Sequence, residues 1–197
     1  MPLHAAAAVG SGARRGVSCL LFLCVTAIAT AAPAAEISVR ATRDGDALEV
    51  EAVADLAVGL ARAWEVLTDY NRFSQFVPDL RESRVISREG GNAVVEQKGE
   101  ARFLFFSYPI EVRLAVTEFP RERIESRAIA GNFRELRCTY TLEPREGGVR
   151  LRYQGRLVPD FQLPLFHTYV LKSNVEATFR AMVEEIERGQ NPVTSDR

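Results

Sequence analysis

Apolar and polar residues alternate with a period of two from Leu80 to Pro159, a stretch long enough for about six β-strands. Turn-forming residues interrupt the alternation at Gly90–Asn92, Gly131–Asn132 and Gly147–Gly148. Short turns between consecutive strands predict an antiparallel meander. Because one side of each strand is apolar and the other is charged, the sheet must have one wet face and one covered face.

A long helical pattern from Leu165 to Arg188 is the segment that can cover this sheet. Its apolar residues recur at helical spacing: Phe166, Val170, Phe179, Met182, Val183 and Ile186. Pro164 before the helix and Gly189 after it are typical of helix ends. We therefore expect this helix to lie across the apolar face of the sheet.

The segment before the meander predicts one strand and two short helices. Leu48 to Ala54 alternates as a half-buried strand does, Val58 to Asp69 has helical spacing, and a second short helix runs from Tyr70 to Pro78, which ends it. Residues 36–46 are expected to be a polar entry segment that precedes the first strand. The result is one α+β domain over residues 36–189, with a disordered tail at 190–197.

Residues 1–35 predict a secretory signal peptide. Arg14 and Arg15 precede an apolar run from Val17 to Ala32, and small residues that suit cleavage end the run. The run has about 16 residues, whereas a membrane-spanning helix needs about 20. We therefore expect a periplasmic or secreted protein, with a retained N-terminal membrane anchor as the alternative; the pattern does not fix the cleavage site.

Outside this leader the chain has few cysteine and histidine residues, the types that most often form disulfides, bind metals or act in catalysis. The domain keeps one cysteine, Cys138, and one histidine, His167, so an internal disulfide and a Cys/His zinc site are excluded. No metal or cofactor is predicted. The chain has 25 basic and 26 acidic side chains, and two of the basic ones lie in the leader, so no nucleic-acid partner is expected.

Two stretches, Ala63–Tyr70 and Phe76–Pro78, carry a resemblance to a known family, and Leu151–Tyr153 and Leu157–Phe161 extend it. The chain resembles the START-like (SRPBCC) superfamily, in particular its polyketide cyclase/dehydrase and coenzyme Q-binding branch. The resemblance covers roughly residues 48–189. It implies a helix-grip fold, in which a curved antiparallel sheet wraps around a long C-terminal helix.

Aromatic residues cluster where the short helices, the strands and the long helix should meet. We expect several of them to line a cavity and bind an apolar ligand, and packed core is the alternative for each. These candidates are Phe73, Phe76, Tyr108, Phe133, Tyr140, Tyr153, Phe166 and Tyr169. His167 is a weak candidate for a catalytic acid or base, and an ordinary surface or capping role is the alternative. Cys138 is expected to be a small buried core residue.

Three functions are compatible with this pattern. The favoured one is an exported binder or carrier of an apolar small molecule such as a lipid, a quinone or an isoprenoid-like compound. The second is a cyclase, dehydrase or hydrolase that uses the same cavity. The third is an envelope interaction module whose cavity is vestigial, which a cavity below roughly 300 Å³ would favour. Transient membrane contact and the oligomeric state stay open.

Overall fold

The computed structural model describes residues 35–103, 106–160 and 167–188. Residues 1–34 of the predicted leader, the predicted tail and Phe166 lie outside these ranges. The elements in chain order are β1 (Ile37–Asp44), β2 (Ala47–Leu56), α1 (Leu60–Thr68), a 3₁₀ turn (Tyr70–Arg72), α2 (Phe73–Phe76), β3 (Leu80–Glu89), β4 (Asn92–Phe103), β5 (Phe106–Phe119), β6 (Arg123–Gly131), β7 (Phe133–Arg145), β8 (Gly148–Pro159) and α3 (His167–Arg188).

The strands form one antiparallel sheet in the order β1-β2-β8-β7-β6-β5-β4-β3. Consecutive strands from β3 to β8 are neighbours, as the alternating pattern predicts. The N-terminal hairpin joins the sheet through β2 and β8, where Leu48 lies opposite Leu157 and Ala54 lies opposite Leu151. The sheet, the long C-terminal helix and the short helices after the first strands confirm the α+β helix-grip prediction.

The prediction for residues 36–46 was wrong, because most of this segment is the edge strand β1. It pairs with β2 along its whole length, from Ile37 opposite Ala54 to Asp44 opposite Ala47. Its inward side chains are only partly buried, and its outward ones are exposed and polar. An edge strand with only a few apolar residues gives a weak alternating pattern in the sequence. Here the backbone hydrogen bonds to β2 stabilise the strand, and a sequence pattern does not reveal them.

The core lies between the inner face of the sheet and the predicted apolar stripe of α3. Phe179 and Ile186 are fully buried, as is Leu151 on β8. Burial of each side chain of this size contributes about 1.5–3 kcal/mol. Charged residues lie on another side of α3, where Glu176 pairs with Lys172 at 3.9 Å and with Arg180 at 3.5 Å. No helix among the described residues is both long enough and apolar enough to cross a membrane.

Two arginines fix the C-terminal end of α3 to the short helices. Arg62 of α1 donates to the backbone carbonyls of Glu185 at 3.0 Å and Ile186 at 3.4 Å. These carbonyls belong to the last turn of α3, where backbone acceptors have no partner within the helix. Arg72 reaches the Glu185 carboxylate at 3.1 Å, and Arg188 pairs with the same carboxylate. Because Glu185 is only 4% exposed, its charge needs these partners.

We predict that Arg62→Ala lowers the free energy of unfolding by about 1–2 kcal/mol, because two helix-terminal carbonyls lose a charged donor. Urea denaturation followed by circular dichroism measures the change. Arg180→Ala on the exposed side of α3 is the matched control, and we expect a loss below about 0.5 kcal/mol because it breaks only an exposed pair. Equal losses for the two variants would contradict the proposed anchoring of α3.

Candidate functional site

A cavity of about 240 Å³ lies between the inner face of the sheet and α3. Its walls are mainly aliphatic and aromatic side chains of the strands, closed on one side by α3 residues such as Leu171, Val175 and Met182. For comparison, an engineered apolar cavity of about 150 Å³ holds one benzene molecule. This cavity is therefore large enough for a compact apolar group of about ten carbon atoms.

Several of the side chains that line the cavity are small. On the sheet side, Gly99, Ala101 and Val112 contribute to the wall, and on the helix side Val175 and Thr178 do so. Further along α3, larger side chains that include Phe179 and Ile186 are fully buried. Large buried side chains and small ones therefore share this interface, and the small residues of the wall leave part of the space unfilled.

Four side chains form a polar group on the sheet side of this cavity, here called the polar floor: Ser126, Cys138, Tyr140 and Tyr153. The strand register brings them together, because Ser126 of β6 lies opposite Cys138 of β7, and Tyr140 of β7 lies opposite Tyr153 of β8. The Ser126 Oγ and Cys138 Sγ atoms are 3.0 Å apart, within hydrogen-bond distance. The two tyrosine ring centroids are 5.0 Å apart.

Burial keeps the polar floor in its neutral, protonated form. It raises the pKa of the Cys138 thiol, although hydrogen bonds from Ser126 and Tyr153 oppose the shift. Burial also raises the pKa of Tyr140 and Tyr153 well above the usual range for a phenol. At neutral pH these groups can donate and accept hydrogen bonds, but they are poorly suited to act as a base or as a thiolate nucleophile.

Gly155 determines how Tyr153 lies in the cavity. Gly155 is two residues beyond Tyr153 on the same face of β8 and lies opposite Cys138. The phenol of Tyr153 folds over it, so that a Cβ atom at Gly155 would be 2.3 Å from the Tyr153 hydroxyl oxygen. Glycine at this position therefore lets the ring lie along the strand instead of projecting into the cavity.

Tyr70 lines another part of the wall, but its hydroxyl has protein partners. It donates to Glu118 Oε1 at 2.9 Å, and the Arg88 guanidinium lies 5.5 Å from its ring centroid and 3.2 Å from the same carboxylate. Burial and the Glu118 carboxylate both raise the pKa of Tyr70. We infer that this network closes the cavity wall and holds the 3₁₀ turn against β3 and β5.

Four of the aromatic residues predicted as ligand-binding candidates lie in the described cavity wall. Phe73, Phe133, Tyr140 and Tyr153 are in the wall. Phe76, Tyr108 and Tyr169 lie elsewhere. Whether any of these side chains binds a ligand stays a prediction.

Phe76, Tyr108 and Tyr169 are not part of the described cavity wall. Phe76 packs edge-to-face on Phe73 with ring centroids 5.8 Å apart, and Tyr108 lies opposite Ala101 near the end of the β4–β5 hairpin. Tyr169 is 64% exposed, because its neighbours Val170 and Leu171 take the buried positions of the first turn of α3. Phe166 and the side chain of His167 lie outside what the structure describes.

Sequence reasoning missed Ser126 and Tyr70 as cavity residues. Ser126 follows Ile124 by two positions, so the alternation of β6 places it on the inner face, but a small polar residue there gave no signal on its own. In the described parts of the chain, no group of three or more His, Cys, Asp or Glu side chains is arranged to hold a metal ion.

The family model described as polyketide cyclase / dehydrase and lipid transport matches residues 56–187. Among solved structures, the chain is similar to the Zhui aromatase/cyclase from Streptomyces sp. R1128, with 16% identity, a TM-score of 0.62, and coverage of 72% of this chain and 94% of that one. It is also similar to the STAR-related lipid transfer protein from Xanthomonas axonopodis, with 17% identity, a TM-score of 0.61, and coverage of 80% and 96%. At these identities the likeness shows a shared fold. No curated protein matches the chain in sequence.

We predict that Cys138 reacts slowly with iodoacetamide, because its raised pKa leaves little thiolate at pH 8. The folded domain should be alkylated at least about ten-fold more slowly than the same chain in guanidinium chloride, as measured by mass spectrometry over time. Cys19 and Cys24 are first replaced by alanine so that only Cys138 can be labelled. Equal rates in the folded and unfolded chain would show that the thiol is neither buried nor perturbed.

Proposed function

The chain belongs to the polyketide cyclase / dehydrase and lipid transport family, and on this basis we propose that it binds and carries a small apolar molecule. The observation that carries the proposal is the apolar cavity of about 240 Å³ between the sheet and α3. The fold is shared with a protein named for lipid transfer and with one named as an aromatase/cyclase, and the first name supports a carrier of an apolar molecule.

The physical basis of binding is the removal of apolar ligand surface from water. A ligand of about ten carbon atoms gains roughly 8 kcal/mol of gross transfer free energy, at about 0.8 kcal/mol per buried methylene. Loss of translational and rotational freedom takes back about 4 kcal/mol or more. The balance supports reversible binding, and reversible binding is what a carrier requires.

We further propose that this carrier works outside the cytoplasm, in the periplasm or after secretion. The support is the leader pattern of residues 1–35, in which two arginines precede an apolar run that ends in small residues. In this location the protein would move an apolar molecule through water between membranes or enzymes. Processing can be tested by N-terminal sequencing of the exported protein, and an intact Met1 on a membrane-bound chain would favour the retained anchor.

The volume of the cavity is the observation that favours the interaction-module alternative. About 240 Å³ lies below the roughly 300–1,000 Å³ typical of pockets for drug-sized ligands. A vestigial cavity of this size would stay empty while an outer surface bound a partner. The carrier proposal instead requires a small ligand, of roughly the size of a bicyclic hydrocarbon, that occupies the cavity in the cell.

Catalysis in the same cavity is the other alternative. Similarity to the aromatase/cyclase fold favours it, but the raised pKa values of Cys138, Tyr140 and Tyr153 favour hydrogen-bond donation over proton abstraction. His167 remains the candidate acid or base from the sequence. If ligand extracted from His167→Ala protein differed chemically from ligand extracted from the unchanged protein, the enzyme alternative would replace the carrier proposal.

We predict that the protein purified from the envelope of its native host retains one small apolar molecule per chain. Native mass spectrometry should show a mass increment that disappears on denaturation, and extraction into an organic solvent should recover the compound. A filled cavity is expected because the apolar wall gains more free energy from a ligand than from solvent. Purification of consistently empty protein under mild conditions would contradict the proposal.

A matched pair of glycine variants links the retained ligand to this cavity. Gly155→Ala should lower the loaded fraction several-fold, because the new Cβ pushes the Tyr153 ring into the space that the ligand occupies. Gly59→Ala is the control, since a Cβ there meets no atom within 4 Å. Thermal melting confirms that both variants fold. Equal loading of both variants would place the ligand elsewhere on the protein.

A further inference from the structure

We propose that the ligand carries one neutral hydrogen-bonding group, a carbonyl or a hydroxyl, and that this group binds at the polar floor formed by Ser126, Cys138, Tyr140 and Tyr153. The inference rests on the proposed function, since it specifies the chemical class of the ligand in the same cavity. Among apolar molecules of similar size, those with a single neutral polar group should bind best. Molecules without a polar group, or with a charged one, should bind more weakly.

The polar floor is a local feature in a cavity whose wall is otherwise mainly apolar. Its four side chains come from three neighbouring strands and are held at adjacent register positions. The apolar part of a ligand can therefore contact the aliphatic wall while its polar group forms a hydrogen bond at the polar floor. Pockets that bind small molecules generally fix orientation with a few convergent polar groups of this kind.

Tyr140 offers the most accessible hydrogen-bonding group of the polar floor. Ser126 and Cys138 lie within hydrogen-bond distance of each other, and Tyr153 interacts with Cys138. The Tyr140 hydroxyl makes no hydrogen bond to another residue in the described ranges, although its side chain lines the cavity. Among the described residues no fully buried side-chain oxygen or nitrogen lacks a partner, so the Tyr140 hydroxyl is open to the cavity, where a carbonyl or hydroxyl oxygen of a ligand can accept its hydrogen bond.

Other polar side chains of the wall are partly occupied by protein partners. The Gln97 side-chain amide donates to Ser83 Oγ at 3.3 Å, and the Asn174 amide donates to the backbone carbonyl of Val170 at 2.9 Å. One N–H of each amide is therefore used within the protein, while the second N–H and the oxygen are not. The Tyr140 hydroxyl differs from both amides because it makes no protein hydrogen bond within the described ranges, and for this reason we take it as the group that orients the ligand.

The charged residues of the cavity wall favour a neutral ligand over an anionic one. No lysine or arginine is found in the described part of the cavity wall. The charged residue in this wall, Glu100, pairs with Arg81 and Arg102. A carboxylate or phosphate in the cavity would thus lose its hydration without gaining a cationic partner, which is strongly unfavourable.

Three naphthalene derivatives test the inference, because they have the size that the cavity admits and differ only in one group. Fluorescence titration of the exported domain should show that 2-naphthol binds about five-fold more tightly than naphthalene, the change expected for one net hydrogen bond. The 2-naphthoate anion should bind at least ten-fold more weakly than naphthalene. Isothermal calorimetry provides a second readout that does not depend on the fluorophore.

Tyr140→Phe should remove the preference for 2-naphthol while leaving the affinity for naphthalene unchanged, because it deletes the hydroxyl and keeps the ring. Tyr169→Phe is the matched control, since Tyr169 is exposed and lies outside the cavity wall, and it should retain the full preference. Thermal melting of both variants verifies that each one folds.

The possible results separate this inference from the proposed function. Equal affinities for naphthalene and 2-naphthol, or a preference that survives Tyr140→Phe, would overturn the inference and leave an apolar carrier in place. Tight binding of 2-naphthoate would overturn it as well. Binding of none of the three compounds would contradict the proposed function and, with it, the inference.

Discussion

The structure depends on a mismatch of width between a wide apolar sheet and the single long helix that covers it. Eight strands at a spacing of about 4.8 Å span about 34 Å, whereas a helix with its side chains is about 10–12 Å wide. One helix cannot cover such a face if the sheet is flat, so the sheet must curve around it. The short helices α1 and α2 cover a further part of the same face. Where the facing side chains are small, this arrangement leaves the cavity.

The position of α3 on the sheet follows from two different kinds of contact. Its C-terminal end is fixed by Arg62 and Arg72, which bond the terminal carbonyls and the buried Glu185 carboxylate. Large apolar side chains around Phe179 pack the same end against the sheet. These contacts hold α3 in place beside the cavity, and a ligand need not create the space that it occupies. A preformed cavity lowers the cost of binding.

The sequence predicted the sheet and the long helix well because both have strong periodic patterns. Strand alternation assigns each side chain to one face, which is why Tyr140 and Tyr153 could be named as candidates from the sequence, and both lie in the cavity wall. The position of Tyr169 on the exposed side of α3 could not be predicted, because few residues define the phase of the first helical turn. The sequence could not identify Ser126 or the role of Gly155, since these depend on which residues lie opposite each other across strands, and a single sequence does not give that register.

The central claim is that an accessible apolar cavity separates the sheet from α3, and a crystal structure determined under xenon pressure tests it most directly. Xenon enters dry apolar cavities and is located by its strong scattering. We expect xenon among Val112, Leu114 and Val175, between the sheet and the helix. A structure in which side chains fill this space, with xenon bound only elsewhere on the protein, would contradict the account.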